Sequence, residues 1–344
     1  MNFKISNRPV GAKYDPLIIA EIGINHNGCL DKAIAIADSA IKFGAEVIKH
    51  QTHIPDEEMS VESRKVIPGN SKNSIYSIIK KCTLTEKAEY KLMDYIKSKK
   101  KIFISTPFSK AAVDRLVKFK VPAFKIGSGE WNNLELVKYI CKFKRPIIMS
   151  TGMSNIKNLF KTVNFINKKR IPLALLHCTN VYPTPIDKSR LKSITEMQKH
   201  FKKNVIGYSD HTVGLYASFA ALSLGAKIIE KHYVDEYSRS GPDVSCSMNK
   251  NDLKELIKAS RLIPRSLPGK KEPIKEEFVT MNFAFASVVS KTFIKKGSKL
   301  TKANICLKRP GNGNFLAKDF SKLIGKIANI DIPSNVQIKK KYIK

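Results

Sequence analysis

Val205-Ile206-Gly207-Tyr208-Ser209-Asp210-His211 is a short apolar run that ends in polar residues. It reads as a β-strand whose C-terminal tip carries a serine and a histidine. The next such run, Ile228-Ile229-Glu230-Lys231-His232, ends in a second histidine. Two imidazoles at the tips of neighbouring parallel strands face one cavity and form half a shell for a divalent metal.

Working outward, the same unit recurs: an apolar run with a polar end, then a stretch with helical periodicity. The runs lie at 17–23, 46–52, 101–106, 123–128, 146–151, 172–178, 205–211 and 227–234. Helical patterns follow at 31–43, a long stretch up to 99, 111–119, 134–143, 156–167, 191–201, 214–224 and 251–262. Strands alternating with helices imply parallel pairing and right-handed crossovers. Eight units over this length close a (β/α)8 (TIM) barrel, an α/β fold. The competing doubly wound sheet carries a Gly-rich phosphate loop after its first strand. The corresponding segment here, Asn25-His26-Asn27-Gly28, is not one and reads as a turn.

Residues 1–266 are therefore assigned to the barrel, after a polar lead-in of about 15 residues containing Pro9, Gly11 and Pro16. Pro264, Pro268 and Gly269 break the pattern, and 267–283 reads as a charged linker. Residues 284–344 form a small, mostly β second domain with a thin core, expected to dock on its own barrel or on a partner's.

Composition narrows the functional classes. The 344 residues carry a formal charge of +33. The lysines are spread along the chain, arginine is scarce, and no basic stretch is interleaved with aromatics, so a nucleic-acid face is not expected. No apolar run reaches the ~18 residues of a membrane span. The N-terminus lacks a signal-peptide pattern, so a cytoplasmic protein is expected. The six cysteines form no C-x-x-C pair, which leaves a thiol-metal or redox motif without support.

Active sites of such barrels lie at the C-terminal ends of the strands. The polar residues there are Glu21, Lys49 and Gln51, Thr106, Lys125 with Ser128 and Glu130, Ser150 and Thr151, His177 with Thr179 and Asn180, Ser209 and His211, and Glu230 with His232. Lysines and hydroxyls converging on one point suit a phosphate dianion. Lys49 and Lys125 stand inside apolar runs, where an unpaired lysine costs free energy. Asp210 is either a partner of the metal ligands or a cap of the next helix. His53 and His200 are read as surface residues.

At these tips the sequence resembles the sialic acid synthase family, the bacterial N-acetylneuraminate synthases. The resemblance rests on ordered motifs: Ala20-Glu21-Ile22-Gly23-Ile24-Asn25-His26-Asn27-Gly28, Lys49-His50-Gln51-Thr52, Ser105-Thr106-Pro107-Phe108 and Lys125-Ile126-Gly127-Ser128-Gly129-Glu130. It continues through Ser150-Thr151-Gly152-Met153, His177-Cys178-Thr179-Asn180-Val181-Tyr182, Gly207-Tyr208-Ser209-Asp210-His211-Thr212, Glu230-Lys231-His232 and Gly241-Pro242-Asp243. The C-terminal part, with Lys308-Arg309-Pro310-Gly311-Asn312-Gly313, resembles the family's antifreeze-like (SAF) domain.

The resemblance implies condensation of phosphoenolpyruvate with an N-acetylated hexosamine, usually N-acetylmannosamine, and water. The products are N-acetylneuraminate and phosphate; relatives making legionaminic or pseudaminic acid are the alternatives. By the same resemblance, His211 and His232 hold the metal, Mn2+ first and Mg2+ or Co2+ otherwise. Lys49, Thr106, Lys125, Ser128, Ser150, Asn180 and Ser209 bind phosphoenolpyruvate. Gln51, Asn70, Tyr182 and Asp243 meet the sugar, and Arg309 reaches its N-acetyl group from the other subunit of a domain-swapped homodimer. Glu21 and Glu130 are the acids that orient water or stabilise developing positive charge, with their division of labour left open.

Overall fold

The computed structural model describes residues 2–68 and 72–344 of the chain. Its strands are β1 (Asn2–Ile5), β2 (Arg8–Gly11), β3 (Leu17–Gly23), β4 (Val47–Thr52), β5 (Ile102–Pro107), β6 (Phe124–Ile126), β7 (Ile147–Ser150), β8 (Leu173–Cys178), β9 (Val205–Asp210) and β10 (Ile228–His232), followed by β11 (Ser287–Ser290) and β12 (Ile305–Lys308). Its helices are α1 (Leu30–Lys42), α2 (Pro55–Glu58), α3 (Ile75–Cys82), α4 (Glu86–Ser98), α5 (Lys110–Lys118), α6 (Leu134–Cys141), α7 (Ile156–Lys168), α8 (Lys192–His200), α9 (Tyr216–Ser223), α10 (Lys250–Ser266), α11 (Glu277–Ala284) and α12 (Phe320–Leu323).

β3 to β10 close in chain order into a parallel barrel, with β10 pairing β3. Period-two alternation decides what each side chain faces. Ile206 and Tyr208 point outward into the layer shared with the helices, and Val205 points inward. Along the inner wall Leu17, Ile19, Val47, Ile102, Ile104, Ile148, Ala174, Leu176 and Ile228 fill the lower barrel. One or two steps further along the same faces stand Glu21, Lys49, Thr106, Lys125, Ser150, Ser209 and Glu230. The barrel thus changes from an apolar packed core to a polar floor within one residue pair per strand. Gly207 is required at the narrow point: a Cβ there would meet the Ile228 carbonyl oxygen at 2.5 Å.

The N-terminal segment corrects the reading of a polar lead-in. β1 and β2 form an antiparallel hairpin, with Ser6 at positive φ in its two-residue turn. Phe3, Ile5 and Val10 lie on one face and join the inner barrel cluster. A strand pair so short is easily missed, because its alternation spans only two or three residues.

The chain divides into two compact units, Met1–Pro268 and Gly269–Lys344. Pro264, expected to end the pattern, instead sits within the last turn of α10. There a missing N–H removes one bond without interrupting later turns. The second unit has its own small core of Val288, Ile294, Leu300, Ile305, Leu323, Ala328, Ile332 and Ile338 around the antiparallel pair β11–β12. The interval read as linker contains α11, whose residues are not buried. Among the described residues, no helix is long and apolar enough to cross a membrane.

Candidate active site at the strand tips

A cavity of about 350 Å³ opens at the C-terminal end of the barrel. Lys49, Gln51, Thr106, Lys125, Ser128, Glu130, Ser150, Asn180, Tyr182, Ser209, His211, His232 and Asp243 all line it. Glu21 lies against Lys49, in ionic contact with its ammonium group. Asn70 lies outside the described residues, and Arg309 belongs to the second unit.

Register explains the grouping. Glu21 pairs with Lys49 on one side and His232 on the other, and Ser209 sits between Glu230 and Cys178. The centre is Glu230. Its Oε1 is 3.4 Å from Lys125 Nζ and 3.7 Å from Lys49 Nζ, and accepts from Ser209 Oγ at 3.3 Å. Lys49 also donates to Thr106 Oγ1 at 3.2 Å, and Lys125 to Ser150 Oγ at 2.8 Å. Sequence reasoning placed Glu230 at a tip but gave it no role. Its position two residues before His232, on the same face of β10, was the available signal.

The charges are set by burial and by each other. Burial alone would raise Glu230, but Lys125 and Lys49 hold it below the usual carboxylate range. Burial pulls Lys49 down to about 7, against Glu230, which pulls it up. The Glu21 carboxylate, in ionic contact with Lys49, favours its ammonium form in the same sense as Glu230. Glu130 is pushed up to about 7 by burial, with Lys125 opposing. Burial likewise raises Asp243 to about 6. Eight buried polar side-chain atoms among the described residues lack a hydrogen-bond partner, and five of them belong to Glu21, Glu130, Glu230 and His232. Of these, Glu21 Oε2 is ion-paired with Lys49 and His232 Nδ1 lies near Asp243; buried polar atoms without a hydrogen bond call for water, an ion or a ligand beside them.

The two histidines face each other with ring centroids 5.4 Å apart. Burial lowers His211 to about 4 and holds His232 well below the ordinary imidazole range, so both are neutral at pH 7. His211 Nδ1 donates to the Thr179 carbonyl at 3.1 Å, which leaves the Nε2 lone pair free. The buried Nδ1 of His232 has no hydrogen-bond partner. An Asp243 carboxylate oxygen lies 3.5 Å from that nitrogen. Two neutral imidazoles side by side suit a borderline divalent ion. No group of three or more His, Cys, Asp or Glu side chains able to hold a metal occurs among the described residues.

Several sequence readings change here. His53 is not a surface residue: it is buried, stacks on Phe108 at 4.2 Å and reaches Glu58 Oε1 (2.8 Å) and Gln51 Oε1 (3.1 Å). Its two-residue offset from Gln51 at the end of β4 could have placed it at the rim. His177 does not face the site. Leu176 and Cys178 point inward, so alternation turns His177 outward, where Nε2 bonds the Ser189 carbonyl at 2.8 Å. Thr151 and Thr179 are likewise spent on the backbone carbonyls of Leu176 and Lys188. Asp210 accepts from Thr212 N, Thr212 Oγ1 and Ser218 Oγ and pairs with Lys231, so it braces the entry to α9.

A closed parallel barrel whose strand tips gather buried lysines, carboxylates and two neutral histidines in one cavity has the form of an enzyme active site. The comparisons give the family. The NeuB family model matches residues 36–272, and the SAF domain model matches 285–343. The chain belongs to the NeuB family and is an enzyme of the sialic acid synthase type. It is 37% identical to the N,N'-diacetyllegionaminic acid synthase of Campylobacter jejuni, over 91% of this chain and 95% of that protein. It is 33% identical to the pseudaminic acid synthase of the same species, over 92% and 93%. The crystal structure of N-acetylneuraminic acid synthetase from Leptospira borgpetersenii, in complex with citrate, is similar with a TM-score of 0.74 at 27% identity, covering 82% of this chain and 95% of that one. These relatives are named for three different sugar acids.

Proposed function

We propose that the protein condenses phosphoenolpyruvate with N-acetylmannosamine and water, releasing N-acetylneuraminate and phosphate by cleavage of the C–O bond of phosphoenolpyruvate. The observation that carries this reading is the pair of buried lysines bridged by Glu230 beneath a ring of hydroxyls. A lysine pair so deeply buried costs several kcal/mol in desolvation, and a bound trianion would offset that cost.

In the proposed reaction C3 of phosphoenolpyruvate attacks the sugar's aldehyde carbon, positive charge develops at C2 and water adds there. As the C2–oxygen bond to phosphate breaks and the C2 ketone forms, the two protons of that water end on the former aldehyde oxygen, now a hydroxyl, and on the departing phosphate. Lys49 and Lys125, with Thr106, Ser128, Ser150, Asn180 and Ser209, bind the phosphate and carboxylate and fix C3 towards the sugar. Glu130, raised to about 7, is suited to take the proton from the attacking water and return it to the leaving group. Glu21 and Glu230 place negative charge beneath C2, where the cationic character grows. Gln51, held by His53, and Asp243 would orient the sugar under Tyr182, and Asn70 would add a contact from its loop. His211 and His232 would hold the divalent ion, Mn2+ first and Mg2+ or Co2+ otherwise, which supplies Lewis-acid polarisation of the aldehyde oxygen. Arg309 would contact the N-acetyl group across a domain-swapped homodimer.

A second reading, with a diacetamido hexose as acceptor, is favoured by the 37% identity to the C. jejuni diacetyllegionaminic acid synthase. One experiment tests both. Purified protein is incubated with phosphoenolpyruvate, Mn2+ and a panel of acetylated hexosamines, and the products are weighed by mass spectrometry. The expected product is the nine-carbon acid of N-acetylmannosamine. Turnover only with diacetamido sugars would select the second reading, and no phosphate release with any sugar would reject both.

A further inference from the structure

The turn Asn25-His26-Asn27-Gly28 has no role in the chemistry above, yet it ends a buried hydrogen-bond chain. Gly28 N–H donates to His26 Nδ1 at 3.1 Å. The His26 proton therefore sits on Nε2, which donates to His50 Nε2 at 3.2 Å. His50, accepting there, carries its own proton on Nδ1, 3.2 Å from Glu89 Oε1. Glu89 is fixed in turn by Thr52 and by Arg115 at 3.1 Å. His26, His50 and Glu89 are all at most 1% exposed. Burial, reinforced by His50, lowers His26 to about 3, so it remains neutral.

The other face of the turn grips the segment that follows β10. Asn25 Nδ2 donates to the Tyr233 carbonyl at 3.3 Å and to Ser247 Oγ at 3.0 Å, and Asn27 donates to the Ser240 carbonyl. Ser247 Oγ in turn donates to the Asp243 carbonyl at 2.7 Å. Asp243 lies at the cavity, its carboxylate 3.5 Å from His232 Nδ1. The segment has no regular strand of its own to position it.

We infer that Glu89, His50 and His26 form a positioning relay that sets the 233–247 segment, and with it Asp243, at the sugar end of the cavity. The relay rests on the reading of Asp243 as a sugar contact. It works through fixed tautomers: each imidazole has one donor and one acceptor nitrogen, so the chain is satisfied in one direction only. Lys125, Ser150 and Ser209 stand on other strands, and none of them bonds to the turn.

Two measurements test this on the full chain. The first is 15N NMR of histidine-labelled protein at pH 7, with His26→Ala and His50→Ala used to assign signals. It should show His26 protonated at Nε2 and His50 at Nδ1. The opposite tautomer at either ring, or an imidazolium at His26, overturns the relay. The second is steady-state kinetics of Glu89→Gln and His26→Ala. We expect KM for the amino sugar to rise about tenfold with KM for phosphoenolpyruvate within twofold. Equal loss in both substrates, or no change in either, in variants that retain the circular dichroism of the unaltered chain, refutes a positioning role. Absence of turnover in the unaltered chain would instead strike at the synthase reading, and the NMR arm decides the relay without it.

Discussion

Lys125→Met tests the anion-binding floor most directly, because methionine keeps the apolar stem and removes the charge. The lysine is 2% exposed. Its ammonium donates to Ser150 Oγ at 2.8 Å and to the Ile126 carbonyl at 3.3 Å, and lies 3.4 Å from Glu230. Stripping one partner from a buried ion pair ordinarily costs about 3–5 kcal/mol of stability. Glu230 here retains Lys49 at 3.7 Å and Ser209 at 3.3 Å, so the expected loss falls below that range and the variant folds. The loss on the ligand side is estimated separately. A hydrogen bond from a charged donor contributes about 1.5–3 kcal/mol, which predicts a rise of about 10- to 150-fold in the Kd of phosphoenolpyruvate. Titration calorimetry with phosphoenolpyruvate alone measures this, and phosphate release at saturating sugar measures the same loss in kcat/KM. A Kd within threefold of the unaltered protein, in a variant that melts cooperatively, would refute the assignment of Lys125 to the anion.

Three further outcomes follow from the same geometry. Glu130 is raised in the folded state from 4.5 to about 7. The native state then binds the proton more tightly than the unfolded chain, so stability falls as pH rises from 4.5 through 7, by at most ~3 kcal/mol. Glu130→Gln should flatten that part of the melting-temperature profile and remove a limb near pH 7 from the rate profile; an unchanged pair of profiles would remove Glu130 from proton transfer. His211→Ala and His232→Ala should each weaken Mn2+ binding, followed by electron paramagnetic resonance of the free ion, with circular dichroism unchanged. Chelation should likewise stop phosphate release until Mn2+ is restored, and unaltered Mn2+ titration in both variants would dismiss the histidine pair as ligands.

Much of the barrel was legible because each strand is a run of period two followed by a helix of period 3.6, and these periodicities are local. The same alternation carries polar residues to the inner face at each strand end, which is why so many candidate residues line one cavity. Where the alternation was too short or was not followed through, the reading failed. The β1–β2 hairpin has too few residues to show a period, and His177 was counted at a tip although Leu176 and Cys178 already occupied the inward positions. For His53 the two-residue offset from Gln51 points to the cavity rim, but the Phe108 ring that covers it comes from another strand end.

The amino-acid sequence by itself thus determined the strand–helix order, the polar set at the strand tips and, through its ordered motifs, the family. Only the tertiary structure decided which of those groups meet. Glu21 touches Lys49, and Glu230 sits between two lysines, because closing the barrel brings β10 against β3 and sets a stagger between strands that no single run encodes. It also decided their protonation. Burial and the arrangement of neighbouring charges, which place Glu130 and Asp243 high and Glu230 low, are properties of the packed cavity and not of any residue's own chemistry.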